Sequence, residues 1–97
     1  MAHYILLINW TDAGVRSIKD TIKRADGFRE MAKAAGATVK DIYWTQGSYD
    51  LVATVEAKDE ISFMALTASV AKGGNIRTHT LRAFTQAEAS QIMAKVT

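Results

Sequence analysis

Residues His3 to Trp10 are apolar on both alternating faces, with Ile5 and Leu7 on one and Tyr4, Leu6 and Ile8 on the other. A half-exposed strand alternates apolar with polar, so this run predicts a central strand buried on both sides. Thr11-Asp12-Ala13-Gly14 then supplies turn and cap chemistry, since Thr11 or Asp12 can accept from the free N–H groups of a following helix. That helix is predicted over Val15–Ala35, on a stripe of Val15, Ile18, Ile22, Ala25 and Ala32, with Gly36 as its stop. Asp26-Gly27 weakens its middle, and whether the helix breaks there is open at this level.

Thr38 to Gln46 reads as a second strand, with Thr38, Lys40, Ile42, Trp44 and Gln46 on one face and Val39, Asp41, Tyr43 and Thr45 on the other. Its Lys and Asp place it at a sheet edge. Gln46-Gly47-Ser48 is a tight-turn signal, so the strand from Tyr49 to Glu56 closes a hairpin. A second helix, Asp59–Lys72, carries Ile61, Met64, Ala65 and Ala68 on one side and Phe63, Leu66 and Val70 on the other. A helix apolar on two sides needs two partners. Gly73-Gly74 ends it, and Asn75–Ala83 is a fourth strand. Thr85-Gln86-Ala87-Glu88 matches a capping box for a short last helix to Lys95, with Ala89, Ile92, Met93 and Val96 expected to face inward.

The order βαββαβ with right-handed crossovers closes into an α+β, ferredoxin-like sandwich: a four-stranded antiparallel sheet of order 4-1-3-2 plus a short C-terminal helix. Both long helices then cover one face, and the other keeps the Ile5 and Leu7 side of a central strand. A bare patch of that kind is unusual on a monomer. Sheet-on-sheet packing with a second copy, a dimeric α/β barrel, is the expected solution. The alternative is that the last helix folds over the open face.

Length and composition narrow the classes. The chain has 97 residues, which suits one domain spanning 1–97 with a single core. It has no cysteine, which excludes disulfide scaffolds, thiolate metal sites and cysteine nucleophiles. No apolar run approaches a membrane span of ~20 residues, and the start lacks a signal-peptide n-region, so a cytoplasmic protein is expected. The formal charge is +2, from 12 Lys+Arg against 10 Asp+Glu. The basic residues between Arg16 and Lys33 interleave with Asp20, Asp26 and Glu30, which reads as a solvated helix face and ranks nucleic-acid binding last.

Several segments resemble one family. Tyr4-Ile5-Leu6-Leu7-Ile8-Asn9-Trp10-Thr11-Asp12-Ala13-Gly14 is similar to the first strand and turn of GYD-domain proteins, and Lys23-Arg24-Ala25-Asp26 to their first helix. Thr45-Gln46-Gly47-Ser48-Tyr49-Asp50 resembles the Gly-x-Tyr-Asp hairpin that names the family, and Asn75 to Phe84 resembles its last strand. The resemblance implies a small bacterial protein shaped like dimeric α/β-barrel proteins. It implies no activity, because proteins of that shape include cofactor-free oxygenases, haem-binding enzymes and simple ligand sensors.

Candidate chemistry is sparse. Asp50 can accept the free N–H groups of its turn while Tyr49 packs on a neighbouring strand, or the two can form a hydrogen-bonding pair at a pocket rim. His3 and His79 fall on neighbouring strands and read as rim or interface residues, with general acid–base work the lesser alternative. A metal would need a third ligand, and no His/Asp/Glu cluster has a recognisable spacing. Arg29 lies inside the first helix's apolar stripe. It either aims a guanidinium between helix and sheet at an anionic ligand, or becomes ordinary surface if the helical phase resets at Gly27. Trp10 and Trp44, near strand ends, anchor a core or wall a pocket for a planar apolar ligand. No phosphate loop, nucleotide fingerprint or Ser-His-Asp order is present, so no cofactor is expected. The leading expectation is a non-catalytic homo-oligomer that binds a small apolar or anionic ligand or acts in a stress response. The alternative is a cofactor-independent monooxygenase- or isomerase-like enzyme with a cavity between sheet and helices.

Overall fold

The computed structural model describes all 97 residues. In chain order the elements are β1 (Ala2–Trp10), α1 (Asp12–Arg16), a 3-10 turn (Ile18–Asp20), α2 (Thr21–Ala34), β2 (Ala37–Trp44), β3 (Leu51–Ala57), α3 (Glu60–Lys72), β4 (Ile76–Ala83) and α4 (Gln86–Ala94). The four strands form one antiparallel sheet in the order β2-β3-β1-β4, the ferredoxin-like arrangement. β1 sits between β3 and β4, as its double-apolar pattern requires, and β2 is at an edge.

The register sorts the sheet into two faces. Tyr4, Leu6 and Ile8 of β1 are buried, together with Leu51, Ala53, Val55 and Ala57 of β3. They form the core with Phe63 and Leu66 of α3 and Ala32 of α2. Tyr4 stacks on Phe63 with ring centroids 3.9 Å apart. Alanines at Ala25 and Ala32 bring α2 close to the sheet, because a small side chain shortens the interaxial distance. On the other face Ile5, Leu7, Val52 and Thr54 are only half-buried, and their β4 neighbours His79 and Leu81 are exposed.

Four local expectations are corrected. The first helix is not continuous: it is interrupted at Ser17, where the backbone leaves helical geometry (φ −113°, ψ 37°), and it runs unbroken through Gly27. The cause is capping chemistry. Thr11 accepts from the Gly14 N–H, and Ser17 returns its hydroxyl to the Ala13 carbonyl, so the first turns close on themselves. Restarting at Thr21 takes Val15 and Ile18 out of phase with α2, and α2 turns its Thr21, Phe28 and Ala32 side to the sheet rather than its Ile22 side, so Val15, Ile18 and Ile22 are exposed rather than buried. The buried side of α2 is instead Ala25 and Ala32, flanked by half-buried Thr21, Arg24, Phe28 and Ala35.

In β2 a bulge between Val39 and Asp41 inserts one residue, Lys40. Ala37, Val39, Ile42 and Trp44 therefore share the helix-covered face, and the expected strict alternation fails at the bulge. Finally, α4 forms with its capping box intact but buries none of its residues, so Ile92 and Met93, and Val96 just beyond it, are exposed. The open face is not covered by α4 folding back. The chain is extended, 50 × 31 × 18 Å, and no helix is long and apolar enough to cross a membrane.

Candidate functional site

The concavity richest in apolar walls lies between the two long helices and the sheet. Ile8, Ile42, Leu51 and Ala53 belong to the strands that floor it, Phe28 and Met31 come from α2, Val70 from α3, and Trp10 and Ile76 from adjacent strand ends. Its volume is about 230 Å³. The fold creates it where small residues meet: Ala53 in the floor, and Gly27 on the α2 side. Gly27 has ordinary helical φ, and a Cβ built there would meet no atom within 4 Å. Neither backbone conformation nor close approach demands glycine at this position, although glycine costs a helix about 1 kcal/mol relative to alanine. The missing side chain leaves the cleft wall open.

Two clasps hold the cleft's end. Trp10 N–H donates to Asp50 Oδ2 at 3.0 Å, while Asp50 N–H donates to the Ile8 carbonyl at 2.8 Å and its own carbonyl accepts from Thr45 N–H at 2.9 Å. Asp50 thereby ties the β2–β3 hairpin to the end of β1 and sets where Trp10 stands. On the other side Thr11 N–H donates to the Asn75 carbonyl at 3.0 Å, and Gly14 lies so close to that carbonyl that any Cβ would overlap it.

The polar part of the lining is small: Thr21, Arg24, Ser69 and Asn75, with no Asp, Glu, His, Lys or Tyr among the cleft residues. Thr21 Oγ1 accepts from Trp44 Nε1 at 3.0 Å, which links the end of β2 to the start of α2. Arg24 is half-buried and spans back to the first turns. Its Nη1 donates to the Ser17 carbonyl at 2.9 Å and to Ser17 Oγ at 3.0 Å, and its Nη2 to the Gly14 carbonyl at 3.3 Å.

Of the residues singled out from sequence, Trp10 lines the cleft and Trp44 supports its rim through Thr21. Tyr49 and Asp50 do not form a pair there: Asp50 serves the hairpin, and the Tyr49 ring meets the His79 ring edge-on, with centroids 5.9 Å apart, on the open side of the sheet. His3 and His79 are not together. His79 pairs with Leu7, four residues along β1 from His3, a separation of about 13 Å at strand spacing. His3 lies 3.7 Å from Glu56 instead. Arg29 is exposed and faces Asp26 at 3.4 Å, because the side of α2 that meets the sheet is centred on Thr21, Phe28 and Ala32 and leaves Arg29 on its flank. Arg24, Phe28, Met31 and Asn75 are not among the sequence-derived candidates. The signal for Arg24 and Phe28 is the Thr21-Arg24-Ala25-Phe28 spacing, one helical face that lies beside the Ile18-Ile22-Ala25 stripe.

Two carboxyl groups are held below their usual range, and neither belongs to the cleft. Asp59 is lowered by the Ser62 hydroxyl, at 2.6 Å, and by the Ile61 N–H, at 3.1 Å. Glu88 is lowered chiefly by the Thr85 N–H, at 2.9 Å. Both are helix caps. No group of three or more His, Asp or Glu side chains converges anywhere on the chain.

The fold has solved counterparts. MtbAldR superposes with a TM-score of 0.67 at 14% identity over 88% of this chain and 52% of its own, so the chain spans about half of MtbAldR's length. FFRP-DM1 gives a TM-score of 0.61 at 21% identity over 87% of this chain and 100% of that one. TTHA0845 from Thermus thermophilus gives 0.56 at 25% identity over 88% and 95%. No curated protein matches the chain at a significant level. The model of the GYD domain matches residues 4–93, and the chain belongs to that family.

Proposed function

We propose that this GYD-domain protein is a non-catalytic, homo-oligomeric binder of a small, largely apolar molecule, and that residues 1–97 act as one domain. The observation that carries the reading is the cleft of about 230 Å³, walled by Trp10, Phe28, Met31 and Val70 and left open at Gly27. Sites for small molecules are concave and mostly apolar, with a few polar groups that fix orientation. The absence of any side chain in the lining suited to proton transfer favours binding over a cofactor-independent oxygenase or isomerase reaction. Oligomerisation is supported by the half-buried Ile5, Leu7 and Val52 and the exposed Leu81 on the uncovered face of the sheet.

Trp10 provides the readout. Titration with toluene should change tryptophan fluorescence saturably and raise Tm, since a ligand at 100 times its Kd adds about 2.7 kcal/mol to stability. Gly27→Leu should place a side chain in the cleft mouth and abolish both responses while circular dichroism stays that of the native fold. An unsaturable response, or one unaltered in a folded Gly27→Leu protein, refutes the cleft as the binding site.

A further inference from the structure

The cleft's one charged residue is a cation without an anion. Arg24 donates only to neutral acceptors, the Ser17 and Gly14 carbonyls and the Ser17 hydroxyl. The carboxylate contacts made by basic side chains of the chain are His3–Glu56 and Arg29–Asp26, so no carboxylate pairs with Arg24. Its three hydrogen bonds use both Nη1 protons and one on Nη2. The Nε–H and the second Nη2–H have no partner within the chain. On a guanidinium these donors can lie side by side, the arrangement that grips a carboxylate with two parallel bonds. Asn75 also lines the cleft, and its side-chain amide makes no hydrogen bond within the chain. At a half-buried guanidinium a charge–charge contact is screened less than it would be in open water.

Size narrows the ligand further. A cavity of about 150 Å³ takes up a benzene ring. At about 230 Å³ this cleft has room for one ring, or a branched chain of similar bulk, together with a head group of a few atoms. We propose that the ligand is a small monocarboxylate with an apolar body, such as an arylalkanoate. The body lies against Phe28, Met31 and Val70, and the carboxylate is held by Arg24 Nε and Nη2 with Asn75 beside it. This rests on the binding role proposed for the cleft and adds the charge of its ligand.

The test compares phenylacetate with phenylacetamide, the same shape without the charge, by calorimetry on the wild-type protein. Phenylacetate should bind about tenfold or more tightly, the difference that hydrogen bonds to a charged group make, and should weaken as salt rises while phenylacetamide does not. Arg24→Gln should lower phenylacetate affinity to that of the amide. Because Arg24 also braces Ser17, Arg24→Lys is the companion variant: it keeps the charge, loses the fork and should retain only part of the preference. Equal binding of the two compounds to the wild-type protein overturns the anionic ligand and leaves the apolar cleft standing. Failure of both compounds and of toluene overturns the cleft itself.

Discussion

Two glycines separate the roles that a missing side chain can have. Gly14 is buried where α1 passes the loop before β4, and a Cβ there would overlap the Asn75 carbonyl oxygen, with Trp10 Cβ at 3.3 Å on the other side. Backbone on one flank and a core aromatic on the other leave little to yield. Gly14→Ala should cost about 1–3 kcal/mol, the usual range for overpacking, and a urea unfolding curve should show it as a lower midpoint at unchanged slope. Gly27→Ala in the same assay should raise stability by about 0.5–1 kcal/mol, because the helix gains a better residue with nothing to collide with. At this scale the candidate site was only partly legible in the sequence. Trp10 was visible because an aromatic residue at a strand end is conspicuous. Arg24 was hidden, and Arg29 conspicuous, for one shared reason: the stripe drawn through Ile18, Ile22 and Ala25 is centred to one side of the face that α2 turns to the sheet, Thr21, Phe28 and Ala32.

The elements themselves were largely readable, because their signals are local. The double-apolar β1, the Gln46-Gly47-Ser48 hairpin turn and the Thr85–Glu88 capping box each correspond to a single short stretch of chain, and each is where the pattern places it. What failed was continuity between stretches. Hydrophobic spacing across Ser17 and across Lys40 assumes one uninterrupted period, whereas a hydroxyl returned to the backbone stops the first helix and an inserted residue flips the second strand. The caps carry a prediction of their own. The carboxylates of Asp59 and Glu88 are stabilised in their charged forms by donors at helix starts, so their folded-state pKa values lie below those of the unfolded chain. Such groups add stability above the unfolded values, about 3.9 for Asp and 4.3 for Glu, and lose that contribution as pH falls through the lower folded values. Tm measured from pH 6 to pH 3 should therefore drop at the acid end. Asp59→Asn, which can still cap but carries no charge to lose, should show a shallower drop; an unchanged slope would remove Asp59 from the account.

For the whole molecule, the decisive quantity is apolar surface that the chain does not cover itself. The two long helices occupy one face of the sheet, and α4, which could have closed the other, fully buries none of its residues. An isolated helix of nine residues is marginal in water, so a helix this short with Ile92, Met93 and Val96 exposed needs a surface to lie on. A second copy satisfies both needs if the open faces stack about 10 Å apart and each α4 reaches across the flank of the partner. Two-fold symmetry doubles the effect of any change within such an interface, since a substituted residue occurs on both sides of it. Leu81, on the edge strand β4, is exposed in one chain and pairs with Ile5 of the central β1 on the open face, so it is the residue to alter. The wild-type protein should sediment at twice the mass of one chain at micromolar concentration, and Leu81→Glu, which brings two carboxylates into an apolar contact, should sediment as a single chain with native circular dichroism. Hydrogen exchange supplies the second readout: amides of Gln86–Ala94 should be protected in the wild-type dimer and should exchange freely in the Leu81→Glu monomer. A wild-type protein that is monomeric, or an α4 that stays protected in the monomer, would mean that the chain covers this surface by a rearrangement of its own rather than with a partner.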